Sequence, residues 1–160
     1  MRTLCSCALK FVLESGIGTA ETGHTRESMI AKTARSSRIL IVEDAQETRD
    51  SIKALLKRDG YSVDPARDEE EAVEKIQRNH PNLILISLDG TPEFVLSTAE
   101  RIRSRGGLGQ ETPIVIFSLE TLPEGAEEEL AGNIHVTVPD NFDQLRALLT
   151  RVVRGPLRTH

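Results

Sequence analysis

The chain has 160 residues, 28% of them charged and 38% hydrophobic, a balance that suits a soluble domain able to bury a core without disulfide or metal staples. Twenty basic against 25 acidic side chains leave a net charge of −5, which excludes a general attraction to nucleic-acid phosphates. No apolar run approaches the ~20 residues of a membrane helix, and Cys5 and Cys7 alone make no disulfide framework, so a cytoplasmic setting is expected.

Residues 1–36 differ from the rest. They carry five basic and three acidic side chains, a net +2, against −7 for the remainder. Leu4, Ala8, Phe11 and Val12 lie at helical spacing, and the stretch from Gly16 to Ser37 is rich in Gly, Thr, Ser and Ala without an apolar period. The segment reads as a flexible or partly helical arm. Lys10 interrupts any signal-peptide core, and Met29, just before the first strand, is an alternative start of translation.

From residue 37 the pattern alternates between two periods. Ile39–Val42 is a continuous β-branched run, the mark of a parallel strand covered on both faces. Thr48, Ile52, Leu55 and Leu56 then share a helical face that Gly60 ends. Tyr61–Val63 is a weak strand. Asp68 opens an acidic helix with Ala72, Val73 and Ile76 inward. Leu83–Ile86 is a buried strand, and Phe94, Val95, Ala99 and Ile102 mark a helix ending before Gly106 and Gly107. Ile114–Phe117 and Ile134–Val138 supply two more strands, with a short, poor helix expected over Ala126–Leu130. A last helix turns Phe142, Leu145, Leu149 and Val152 inward, and residues 155–160 are a tail.

Strands alternating with helices predict a parallel sheet over 37–154 with helices on both faces, and right-handed crossovers limit the topologies to a few, among them the flavodoxin-like three-layer α/β/α sandwich with five strands in the order 2-1-3-4-5. The acidic clusters Glu69–Glu71 and Glu127–Glu129 read as solvated helix faces. Arg101, Arg103 and Arg105 suit a helix C-terminus better than an anion site.

In such a sheet a ligand crevice opens where strand order reverses, between the carboxyl ends of the first and third strands. There stand Glu43 and Asp44, and then Ser87, Leu88 and Asp89. Clustered hard oxygens suit Mg²⁺, which makes Glu43, Asp44 and Asp89 candidate metal ligands. The competing roles are structural: the spacing of Asp44 and Glu47 is that of a capping box, and Asp89 with Gly90 makes a turn. The four histidines are scattered without zinc-ligand spacing. Gly106, Gly107 and Gly109 follow a helix rather than a strand, so they form no phosphate loop.

The segment Arg38–Asp44, the strand from Pro81 to Ser87, the run Pro113–Ser118 and the pair Val138–Pro139 together resemble the receiver domain of bacterial response regulators. The resemblance implies two acidic residues holding Mg²⁺, fitted by Glu43 and Asp44. It implies an aspartate at the end of the third strand that accepts a phosphoryl group from a histidine kinase. It further implies a hydroxyl ending the fourth strand, fitted by Ser118, a lysine before a proline, and a switch residue in the fifth strand, fitted by His135. Two positions depart from the pattern: Ser87 occupies the acceptor position and Val138 the lysine position.

A serine hydroxyl has too high a pKa to attack as a carboxylate does, and the motif supplies no base for it. Without the lysine nothing pairs with the phosphoryl oxygens. The expectation is therefore a degenerate receiver that works through protein contacts, with a histidine kinase or a downstream regulator as partner, and is not an enzyme. No output domain fits after Val153. The output face of the family, its fourth helix, fifth strand and fifth helix, is altered here by the short fourth helix, and homodimerisation through it stays open. The alternative is a working acceptor with Asp89 as nucleophile, which requires the third strand to run two residues further so that Asp89 points where Ser87 does. A flavin-binding enzyme on the same fold is disfavoured by the scarcity of aromatics.

Overall fold

The computed structural model describes residues 37–117, 122–139 and 141–154. The arm over 1–36, the tail over 155–160 and Ser118 lie outside the described residues. The elements are β1 (Arg38–Glu43), α1 (Gln46–Arg58), β2 (Ser62–Ala66), α2 (Glu69–Arg78), β3 (Leu83–Ser87), α3 (Pro92–Gly106), β4 (Ile114–Phe117), β5 (Glu127–Leu130), β6 (Ile134–Thr137) and α4 (Phe142–Arg154).

Period two along the strands splits the apolar residues between two cores. Ile39, Ile41, Leu83, Leu85, Val115 and Phe117 face α1 and α4, where they meet Ile52, Leu56, Phe142, Leu145 and Leu149. Their neighbours Leu40, Val42, Ile84, Ile86, Ile114 and Ile116 face α2 and α3 and meet Ala72, Ile76, Val95, Ala99 and Ile102. Each fully buried aliphatic side chain contributes about 1.5–3 kcal/mol, so strands apolar on both faces have one stable place, the middle of a three-layer sandwich.

The sheet order is β2-β1-β3-β4-β6-β5. Its first five strands are parallel and follow the order expected from the sequence. The sixth corrects it. Glu127–Leu130 is not a helix but an antiparallel strand paired with β6. Pro123, Gly125 and Gly132 leave too few residues for a helix to repay its nucleation cost. Gly132 and Asn133, with φ of 79° and 61°, turn the chain back as a hairpin instead. The exposed glutamates of 127–129 therefore lie along the margin of a sheet and not on a helix face.

Local chemistry sets the helix ends. Asp68 accepts from the Glu71 N–H at 2.8 Å, and Glu71 Oε2 accepts from the Arg67 N–H at 3.0 Å, a reciprocal cap on α2. Thr91 accepts from the Phe94 N–H at 3.2 Å, with Pro92 opening α3. α2 and α3 approach closely at Gly106, where a Cβ would lie 2.8 Å from Ile76 Cγ2.

The other charged clusters are structural. Glu69 takes Arg101 at 3.0 Å and Arg105 at 2.9 Å, and Glu70 takes Arg105 at 2.8 Å, joining α2 to α3. Arg103 donates to the carbonyls of Gly132 at 2.5 Å and Thr112 at 2.8 Å. The basic residues of α3 thus bind carboxylates and carbonyls, with Arg101 and Arg105 still partly exposed.

Candidate functional site

β1 and β3 are neighbours, and their register places Glu43 beside Ser87 at the carboxyl ends of both strands. Both side chains are buried, 4% and 7% exposed. The Ser87 hydroxyl lies beside the Glu43 carboxylate, whose Oε1 accepts from the Ala45 N–H at 3.0 Å. Burial raises the Glu43 pKa to about 7; the bonds from Ser87 and Ala45 pull against that rise, and the adjacent Asp44 carboxylate adds to it. The Glu43 carboxyl, with its neutral form favoured by burial, thus stands beside Ser87.

Asp44 is exposed. Its Oδ1 accepts from the Ala45 N–H at 3.0 Å, but the N-cap of α1 is Ala45, with no side-chain cap bond. The capping-box role is therefore not taken up. A residue missed in the sequence closes this end of β1: Arg49, one turn into α1, donates through Nη1 to the carbonyl of Glu43 at 2.7 Å and, more weakly, to that of Asp44 at 3.4 Å. An arginine five residues after an acidic pair was the available signal. Its partners are backbone oxygens, which no side-chain pattern discloses.

β3 ends at Ser87, so Asp89 is not on the strand, and the extension needed to align it with Ser87 is absent. Asp89 is exposed beside Gly90. Val138 is half-buried before Pro139. Its N–H donates to the Ala126 carbonyl at 3.1 Å and its carbonyl accepts from the Gly125 N–H at 2.6 Å, so the lysine position is spent on holding β5. His135 on β6 is half-buried, with Nε2 3.0 Å from Asn133 Oδ1. Burial chiefly holds its pKa below the usual range, Arg151 adds to that, and Glu129 and Glu127 oppose it.

Magnesium prefers an octahedron of hard oxygens. The chain supplies Glu43 and Asp44, but a hydroxyl faces them from β3. Among the described residues no three of His, Cys, Asp or Glu gather as a metal-holding group, so Glu43, Asp44 and Asp89 do not form one there. Glu43 is moreover drawn toward its neutral form.

A doubly wound sheet with an acidic pair at its switch point is the arrangement expected from the receiver resemblance. The family model "Response regulator receiver domain" matches residues 39–152, and the chain belongs to that family. It is 32% identical over 112 residues to the transcriptional regulatory protein DltR of Streptococcus agalactiae, covering 69% of this chain and 49% of that one. The chain spans about half the length of that relative. Among solved structures, the chemotaxis protein CheY4 of Vibrio cholerae is 27% identical with a TM-score of 0.54, covering 72% of this chain and 98% of that chain. The receiver domain of a sensor histidine kinase of Pseudomonas aeruginosa, solved with magnesium coordinated in its active-site cleft, shares the fold at 23% identity and a TM-score of 0.55, covering 74% and 98%. Among the described residues no helix is long and apolar enough to cross a membrane.

Proposed function

We propose that this receiver domain signals through protein contacts and does not use aspartyl phosphorylation. The observation that carries the reading is the buried hydroxyl of Ser87, in register with Glu43, where the family places its acceptor carboxylate. Forming an acyl phosphate needs a carboxylate nucleophile, and Ser87 has none. A phosphoryl group there would bring a charge near −2 against Glu43 and Asp44, with valine at position 138 in place of a neutralising amine. Partners in this reading are a histidine kinase or a downstream regulator in the cytoplasm, recognised by surface. Were a divalent cation to bind, Glu43 and Asp44 would meet it first, and it would supply charge compensation that the chain lacks.

The test is incubation with a small acyl-phosphate donor and Mg²⁺, followed by intact mass and peptide mapping. An unmodified chain is expected. The second reading, a working acceptor at Asp89, rests on the exposure of that carboxylate. Stoichiometric base-labile label at Asp89 establishes it and overturns the first reading. A hydroxylamine-resistant phosphate ester at Ser87 would instead make the domain a seryl acceptor and overturn its reading as a purely contact-based module.

A further inference from the structure

The two margins of the sheet differ. β2 forms one. It carries Pro65, which has no N–H to offer, and Lys75 Nζ donates to the Pro65 carbonyl. β5 forms the other, and among the described residues no strand pairs with its outer side.

The direction of its backbone groups follows from the ladder. The Val138 N–H donates to the Ala126 carbonyl, and antiparallel pairing alternates. In the observed register Glu128 and Leu130 therefore turn their N–H and C=O toward β6, as Ala126 turns its C=O (its N–H goes to the Pro123 carbonyl), while Glu127 and Glu129 turn theirs outward. Glu127–Glu129 are all exposed. Glu127 Oε2 lies 2.6 Å from Arg151 Nη2; among the described residues no ion pair reaches Glu128 or Glu129.

We propose that this margin is a docking site for an extended, lysine- or arginine-rich segment of a partner protein, which joins the sheet as a further strand beside β5. The outward N–H and C=O groups of Glu127 and Glu129 match the backbone of an extended chain. Consecutive strand positions alternate faces, so the three carboxylates flank the incoming strand on both sides and select basic side chains there. A second copy of this chain is a poor occupant: β5 against β5 sets glutamate opposite glutamate, the repulsion that protects natural edges from self-pairing. The proposal deepens the contact-based reading above by naming the surface and the partner chemistry. It does not depend on Ser87.

The full, unphosphorylated chain is titrated with a short fluorescent peptide of valine, threonine and central lysines. A glutamate counterpart and a lysine peptide N-methylated at alternate residues serve as comparisons. Anisotropy should report binding of the lysine peptide alone, weakened by salt. Amide exchange should slow at Glu127 and Glu129 on binding and stay unchanged at Glu128, whose amide already pairs with β6. Glu129→Pro, which removes an outward N–H and leaves the β6 bonds, should weaken binding about tenfold or more. Glu129→Lys should weaken it without altering the backbone. Equal binding of the N-methylated peptide would show charge attraction without strand addition and overturn the proposal. So would slow exchange at Glu127 and Glu129 in the free chain, which would mean that the arm or a second copy already covers the margin. Absence of binding overturns it too. None of these outcomes alters the acyl-phosphate result, so the two readings fail separately.

Discussion

A single carboxyl group sets the chemical temper of the crevice. Glu43 has lost most of its contact with water and titrates near 7 instead of in the ordinary carboxylate range. Its folded pKa exceeds its unfolded one, so the native state binds the extra proton, and that contribution is lost as pH rises from about 4.5 through about 7. Glu43→Gln, measured with a chelator present, should flatten the stability profile across that window. Above pH 7 it should stabilise by on the order of 1–3 kcal/mol. A variant whose urea midpoint follows the wild-type profile would show that Glu43 titrates normally. The pairing of Glu43 with Ser87 was legible in the sequence because β-branched runs fix which strands lie side by side. The protonation of Glu43 was not, because it depends on how completely β1, β3 and the start of α1 exclude solvent. Arg49 was equally hidden, since it binds carbonyl oxygens.

Among the elements, the hairpin of β5 and β6 departs furthest from expectation. Three glutamates favour helix by propensity, and that propensity was the misleading signal. The decisive signal was the Gly132–Asn133 turn flanked by Leu130 and Ile134, backed by carbonyl bonds from Val138 and Arg103. The Arg103 guanidinium bridges Gly132 and Thr112, tying the hairpin turn to the loop before β4. Arg103→Ala leaves two carbonyls short of a donor, with an expected cost of about 1–3 kcal/mol. Amide exchange should quicken in the hairpin before it does in β1 or β3. Uniform quickening throughout the sheet would instead assign Arg103 to the general core. Asp68→Ala removes one half of the reciprocal α2 cap, and thermal unfolding should register a loss of about 1 kcal/mol.

Over the whole molecule, titrating groups pull stability in opposite directions as pH changes below neutrality. Glu69 is held below the usual carboxylate range chiefly by Arg101, and Glu71 chiefly by the Arg67 N–H. Their contributions are present above that range and fade as pH falls through it. His135, held neutral chiefly by burial, likewise withdraws support as pH falls below about 6.5. Glu43 alone among these groups withdraws support as pH rises, between about 4.5 and about 7. Urea unfolding across pH should therefore show a maximum near or just below neutrality, and Glu43→Gln should extend it upward. The three layers and the parallel strand order were readable because each apolar run has one burial solution, whereas the final strand depended on a turn. That strand has a consequence for assembly. With Pro65 at one flank and an accepting margin at the other, a guest strand can lengthen the sheet in one direction only. If a guest strand adds at β5 as proposed, the missing N–H of Pro65 disfavours a matching addition at the opposite flank, so one partner segment per domain is the expected stoichiometry.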